Sequence, residues 1–334
     1  MAKKYRVLVV GTGSIGERHT RCFGQTGRTE MHICEMNRKL CDAVAERYSV
    51  ASAHYDLDSA TTNTYDIAVV CVPAHLHIPV AIQLGNVGTN LLIEKPLSTS
   101  FEGIDQLQEV IRAQNITVGI AYVLRCNPIL EHMKAAIDSG RFGRPVQIVS
   151  TSGQYFPKYR PAYREIYYTD RLTGGGAIQD AITHIMNAGE WIVGPVERLF
   201  ADAEHQVLEG VSVEDTIHIV TRQGFGVMGS YSLNQYQAPN EGVLQIVCER
   251  GTARFLAHES RWLSMTGAGD DWTEEMKVEY ERDDHFVCQA NRFLDAVDGK
   301  EPVRCTLEEA AQTLRVNLAA LRCLDEGQWI NIAK

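Results

Sequence analysis

Three side chains have the type and setting for moving a proton to or from a hydroxyl group. Gly174-Gly175-Gly176 is followed by Asp180 and His184, which stand four apart and so share one face of a helix that starts after the glycines. Near neutral pH a histidine is a natural acceptor for the proton of an alcohol that becomes a ketone. A neighbouring carboxylate can hold its tautomer or bind the substrate. Zinc is the rival use of such a pair, but the expected third and fourth ligands are not evident, so no metal is expected. A capped helix with a satisfied histidine is the plainer alternative. The third side chain is Lys95, at the end of the apolar run Leu91-Leu92-Ile93-Glu94-Lys95-Pro96. An ammonium there can hydrogen-bond a substrate hydroxyl and stabilise the alkoxide that develops as hydride leaves. Taken alone, a Lys-Pro pair reads as a loop terminus.

The elements that must position Lys95 start at the N-terminus. Arg6-Val7-Leu8-Val9-Val10 runs into Gly11-Thr12-Gly13-Ser14-Ile15-Gly16, a strand entering a glycine-rich turn that opens a helix. Gly11 allows the tight turn, Gly13 lets a pyrophosphate approach the backbone, and Gly16 lets the helix pack on the strand. The phosphates then sit at a helix start, with Ser14 and Ile15 in its first turn. About 20 residues on, a second strand ends in Glu35. Its carboxylate can accept from both ribose hydroxyls and repel a 2′-phosphate, which favours NAD. Arg38 could still pair with that phosphate, so NADP stays open. The third strand ends Val69-Val70-Cys71-Val72-Pro73, and ligands of such sheets bind beyond the carboxyl ends of the strands, which places Pro73 and Lys95 beside the cofactor.

Strands expected at 5–10, 31–35, 66–72, 90–94 and 117–122 alternate with helices at about 14–26, 38–48, 76–86 and 101–114. That alternation specifies a doubly wound parallel sheet of Rossmann type. After Pro128 the texture becomes β-rich, with strands expected at 146–154, 196–206, 213–222, 225–235, 243–249 and 252–257. This predicts an α+β domain with a large open, mainly antiparallel sheet. Oligomerisation, as a homodimer or homotetramer, would cover one face of it. The stretch 264–284 is acidic and reads as a surface excursion, and two amphipathic helices close the chain. The boundaries expected are 1–123 for the NAD(P)-binding domain and 124–334 for the second, with the C-terminal helix, about 306–325, packing back on the first.

The 334 residues carry a net charge of −10 and no Lys/Arg block, which argues against nucleic acid or an anionic membrane as partner. Nine cysteines without a CxxC pair fit a reducing compartment, and the N-terminus enters its first strand without a signal peptide, so the cytoplasm is expected.

These pieces together resemble the glucose-fructose oxidoreductase / inositol dehydrogenase / MocA (Gfo/Idh/MocA) family. The resemblance rests on Gly11 to Gly16 with His19, on Glu94-Lys95-Pro96, on the triple glycine leading to Asp180 and His184, and on the closing Glu301-Pro302-Val303 with the final helix. It implies a Rossmann domain, a sheet-rich second domain, and NAD(P)-dependent oxidation or reduction of a sugar, cyclitol or related polyol. Lys95, Asp180 and His184 correspond to the family's catalytic residues, with His184 as general base. Glu94 and His77 correspond to positions beside the cofactor, with a helix-start histidine as the plainer use of His77. Asn187 departs from the acid many members carry three residues after the histidine.

Tyr155-Phe156-Pro157-Lys158-Tyr159-Arg160-Pro161-Ala162-Tyr163-Arg164 mixes aromatics, which pack on sugar C–H faces, with arginines, which fork onto carboxylate or phosphate. Tyr155, Arg160, Tyr163 and Arg164 are the candidates for substrate binding, with Arg160 or Arg164 meeting an anionic group of a sugar acid or nucleotide sugar. An interdomain or interface loop is the alternative. A different class, a non-catalytic dinucleotide-binding sensor on the same fold, has no need of Lys95, Asp180 and His184 together.

Overall fold

The computed structural model describes residues 4–332. Packing divides them into two units: the chain up to Cys126 together with Glu281–Ala310, and Asn127–Tyr280 together with the chain from Ala311 onward.

The first unit begins β1 (Tyr5–Val10), α1 (Ser14–Gln25), β2 (Thr29–Cys34), α2 (Arg38–Tyr48), β3 (Ser52–His54), α3 (Leu57–Thr61), β4 (Ile67–Val70), α4 (His77–Asn86), β5 (Asn90–Ile93), α5 (Ile104–Gln114) and β6 (Val118–Ile120). Its strands pair in parallel in the order β3-β2-β1-β4-β5-β6, the doubly wound arrangement expected. Helices on both faces demand unbroken apolar strands, and Val7 to Val10, Ile67 to Val70 and Leu91 to Ile93 are buried throughout. The strand order reverses between β1 and β4, which opens a ligand crevice beyond their carboxyl ends. Strand β3 has no apolar run, so periodicity gave no sign of it.

The second unit contains α6 (Pro128–Asp138), β7 (Pro145–Gly153), α7 (Phe156–Tyr159), α8 (Thr183–Val193), β8 (Val196–Glu204), β9 (Thr216–Gln223), β10 (Met228–Asn234), β11 (Glu241–Cys248), β12 (Gly251–Leu256), β13 (Arg261–Met265) and β14 (Thr273–Lys277). After these come α9 (Asp284–Val297), α10 (Leu307–Glu326) and β15 (Ile330–Asn331). The strand order is β14-β13-β12-β11-β7-β10-β9-β8-β15, antiparallel except for the parallel pair β7 and β10. The stretch 264–284 is the surface excursion expected, but it carries strand structure. It holds the end of β13 and all of β14, added to the sheet through β13, whose Trp262 and Leu263 are buried.

The closing helices divide differently from the expectation. Helix α9 belongs to the first unit, because its stripe of Ala290, Phe293 and Leu294 joins the core that holds Val7, Val9 and Ile33. Gly119 permits this: a Cβ there would lie 3.3 Å from the Phe293 ring. Arg21–Asp283 at 2.5 Å and Arg28–Asp295 at 2.8 Å hold the same segment. Helix α10 starts with the reciprocal Thr306–Glu309 capping box, and from Ala311 it packs in the second unit rather than on the first.

Candidate active site

The glycine loop is built around close backbone approaches. Gly11 has φ +85°, and a Cβ there would lie 2.8 Å from the carbonyl oxygen of Cys71. At Gly16 a Cβ would lie 1.8 Å from the carbonyl oxygen of Gly11, so only glycine lets α1 pack against its own turn. Gly13 caps α1 without a side chain, and nothing lies within 4 Å of where its Cβ would be. The first turn of α1, begun by Ser14 and Ile15, offers N–H groups that have no intrahelical acceptor. This open cradle at a helix start fits the pyrophosphate of a dinucleotide. Beyond β2, Glu35 accepts the Thr12 N–H at 2.8 Å on one oxygen and the Asn37 N–H at 2.9 Å on the other. The carboxylate is thus pinned beside the loop. Arg38, the first residue of α2, holds its guanidinium 4.5 Å from the centre of the Tyr55 ring.

At the carboxyl ends of β4 and β5, Pro73 is exposed and Lys95 is half-buried. His77 and Glu94, expected beside the cofactor, are both buried and hydrogen-bonded within the protein. His77 is buried, with Nε2 2.8 Å from the Val72 carbonyl and Nδ1 2.9 Å from the Pro96 carbonyl, so it braces the two strand ends. Burial pushes its pKa below the usual histidine value, against the opposing pull of those carbonyls. Glu94, 4% exposed, accepts from His19 Nε2 at 2.8 Å and from the Lys95 N–H at 2.9 Å. Burial raises its pKa, yet the His19 and Lys95 contacts outweigh that and hold the carboxyl below its usual range. Residue 94 therefore fixes the main chain from which the Lys95 side chain extends.

In the second unit the triple glycine solves a packing problem. A Cβ on Gly175 would lie 2.3 Å from the Tyr168 carbonyl oxygen, and one on Gly176 (φ +87°) would lie 2.4 Å from Glu214 Oε1. Glu214 takes the space these glycines leave: it accepts the Ile178 N–H at 3.0 Å and pairs with Arg171 at 2.8 Å. It thereby caps a π turn, Ile178–Ile182, that leads into α8. Asp180 lies in that turn and His184 in the first turn of α8. π turns inside helices are frequent at functional sites. Asp180 is buried and its Oδ1 accepts from the Tyr167 hydroxyl at 2.7 Å.

A buried polar ladder fixes α8 against α10. Asn317 donates to Thr183, Asn187 donates to Thr313, and Thr313 donates to Glu190 at 2.7 Å. Glu190 also accepts the Val196 N–H at 3.1 Å. Glu214 and Glu190 escaped sequence reasoning because their partners are distant in the chain and no spacing announces them. Among the described residues no three His, Cys, Asp or Glu side chains gather as a metal site.

The aromatic and basic segment makes most of its contacts within its own unit. Tyr163 is 1% exposed and packs with Phe156, Tyr168, Leu208 and Val213, so it is a core residue. Its hydroxyl donates to the Glu209 carbonyl at 2.7 Å, and Arg164 donates to that same carbonyl at 2.9 Å and pairs with the Glu209 carboxylate. Arg160 lies over the Phe156 ring, and Tyr155 sets its ring edgewise to Tyr236. None of the four lines the cleft of about 200 Å³ that opens beside α8, between Ala181 and Ile185 on one side and the ends of β7 and β10 on the other.

A Rossmann unit with a cofactor cradle, followed by a nine-stranded open sheet, defines a dinucleotide-dependent oxidoreductase. Residues 5–122 match the oxidoreductase family with the NAD-binding Rossmann fold, and residues 130–254 match the GFO/IDH/MocA C-terminal domain. The chain belongs to the Gfo/Idh/MocA family and is an NAD(P)-dependent oxidoreductase. It is 26% identical over 265 residues to a levoglucosan dehydrogenase of Pseudarthrobacter phenanthrenivorans, covering 67% of this chain and 66% of that one. It is 22% identical to a myo-inositol 2-dehydrogenase of Thermotoga maritima, with 98% of both chains covered. A levoglucosan dehydrogenase solved with NADH and levoglucosan shares the fold at TM-score 0.89 and 18% identity, over 99% of this chain and 100% of that one. The WlbA dehydrogenase of Bordetella pertussis, solved with NADH and UDP-GlcNAcA, shares it at 0.84 and 24%, over 99% of both.

Proposed function

We propose that this protein is a dehydrogenase that interconverts a secondary alcohol and a ketone on a sugar or polyol, with Lys95, Asp180 and His184 acting on the substrate hydroxyl. Bound NAD supplies the hydride acceptor, through its nicotinamide C4. Gly11, Gly13, Ser14, Ile15 and Gly16 would hold its pyrophosphate, and Glu35 its adenosine ribose. His184 takes the hydroxyl proton, Lys95 stabilises the developing alkoxide, and Asp180, steadied by Tyr167, orients the substrate. The observation that carries this reading is Lys95: it leaves the carboxyl end of a strand in the sheet that bears the cofactor cradle, on a main chain pinned by Glu94. Relatives named for levoglucosan, inositol and D-xylose support the substrate class. The test is NADH formation across a panel of sugars and cyclitols, for the wild type, Lys95→Ala and His184→Ala. Equal turnover by all three refutes the assignment.

The nine-stranded sheet leaves Val220 and Met228 exposed on adjacent strands, which supports a homodimer or homotetramer formed through that face. Sedimentation of the wild type against Val220→Asp tests it. Nine free cysteines support a cytoplasmic setting. No helix among the described residues is long and apolar enough to cross a membrane.

A further inference from the structure

The π turn that carries Asp180 has to be held open by its surroundings. Such a turn closes i→i+5 hydrogen bonds and so holds one residue more than the α-helix it leads into. Relaxed to α geometry, the chain ahead of it would swing by about 100° around the helix axis, and Asp180, inside the turn, would share in that swing. The turn therefore sets the angle at which Asp180 stands to His184. The N–H groups that open it have no acceptor within the helix. Residue 214 takes two of them in succession: its main-chain carbonyl accepts from Ala177 at 3.0 Å, and its carboxylate accepts from Ile178 at 3.0 Å.

Glu214 reaches Asp180 by a second route. Its other carboxylate oxygen accepts from Arg171 Nε at 2.8 Å. Arg171 belongs to the stretch that begins with Tyr167, whose hydroxyl donates to Asp180, and the Thr173 hydroxyl ties that stretch to the Tyr167 carbonyl at 2.7 Å. One carboxylate thus fixes both the main chain under Asp180 and the segment that brings its hydrogen-bond donor. Its own place is rigid, because the next carboxylate, Asp215, accepts three consecutive N–H groups, from Gln206, Val207 and Leu208. An amide at 214 would cap Ile178 with a smaller desolvation cost, and what the buried charge adds is the pair with Arg171.

Resting on the dehydrogenase reading, we infer that Glu214 is a positioning residue of the reaction: with Arg171 it holds Asp180 at the angle to His184 that the substrate hydroxyl requires, and it acts through Asp180. A group that works this way has a signature that general support of the fold lacks. Its removal matters only while Asp180 is there to be positioned.

The test is a double-mutant cycle on kcat for NADH formation from the polyol that the wild type turns over fastest. It uses full-length Glu214→Ala, Glu214→Gln, Asp180→Ala and the double variant Asp180→Ala/Glu214→Ala, with melting curves to confirm folding. Glu214→Ala lowers kcat about 10- to 100-fold while NADH affinity stays within about twofold of the wild type. Glu214→Gln, which keeps an acceptor for Ile178, recovers at least about threefold of that loss, and it carries the cycle if the alanine variant does not fold. In the Asp180→Ala background the same change at 214 alters kcat by less than about twofold. Hydrogen exchange, which needs no turnover, speeds up about tenfold in the peptide 174–184 of Glu214→Ala. With Asp180→Ala impaired, any of four results overturns the inference alone: wild-type kcat in Glu214→Ala, an equal loss with and without Asp180, no recovery by glutamine, or unchanged exchange. Wild-type kcat in Asp180→Ala, or no turnover of any polyol by the wild type, refutes the dehydrogenase reading itself and the inference with it.

Discussion

Replacing Glu94 by glutamine tests whether a buried carboxylate holds the main chain of Lys95. The wild-type side chain accepts from two donors, His19 Nε2 at 2.8 Å and the Lys95 N–H at 2.9 Å. Glutamine has the same volume but one acceptor oxygen, so its NH2 must face one of those donors. Histidine can change tautomer and accept, whereas a main-chain N–H cannot. The amide oxygen therefore goes to Lys95 and the NH2 donates to His19, so both hydrogen bonds survive and the loss is the charge that strengthens them. That charge assistance over two bonds amounts to about 1.5–3 kcal/mol. In a unit of this size each kcal/mol shifts Tm by about 2–4 °C, which gives a fall of about 3–12 °C at pH 7. The carboxyl of Glu94 titrates below its usual range, so its contribution is fully present above the unfolded carboxylate pKa of about 4.3. It is lost as pH falls through the lower folded value. Melting curves of wild type and variant, followed by far-UV circular dichroism, should accordingly diverge at pH 7 and converge in acid. A gap below 1 °C at pH 7, or one that does not close in acid, refutes the reasoning.

Three further substitutions bear on the cradle and the substrate wall. Gly16→Ala puts a methyl 1.8 Å from the Gly11 carbonyl oxygen, a backbone atom that cannot yield alone, so α1 must shift and NADH affinity should fall at least tenfold by fluorescence titration. Glu35→Ser removes the carboxylate that would meet a 2′-phosphate; the KM for NAD should rise about tenfold while that for NADP falls, and an unchanged preference would show that Glu35 does not read the ribose. Arg164→Ala breaks an exposed pair with Glu209 remote from the cleft lining, so the KM for the turned-over polyol should stay within about twofold. A tenfold rise would return Arg164 to the substrate wall.

The Rossmann half was legible because its rules are local. Gly11 and Gly16 each answer a single steric demand, Gly13 leaves open the space a pyrophosphate would need, and a buried parallel sheet writes itself as unbroken apolar strands. The place of Lys95, just past the end of β5, was legible for the same reason. Reading failed where structure depends on distant partners. The triple glycine announced a close approach but not its partners, which are Glu214 and the Tyr168 carbonyl. His77 read as a helix-start histidine or a residue beside the cofactor, and no spacing announced that both its nitrogens face main-chain carbonyls. Tyr163 and Arg164 have the composition of a sugar site, but a residue's type does not say whether its partner is a ligand or Glu209. Helix α9 and helix α10 carry equally good apolar stripes, and only three-dimensional packing assigns them to different units.

The most direct test is the steady-state rate of NADH formation on the best neutral polyol, with cofactor affinity measured in parallel. Lys95→Ala and His184→Ala should each lower kcat by about 10²–10⁴-fold while NADH binds as in the wild type. Wild-type kcat in either variant would contradict the assignment of that residue to the chemistry, and wild-type kcat in both would leave the glycine loop as a binding site without this catalytic set.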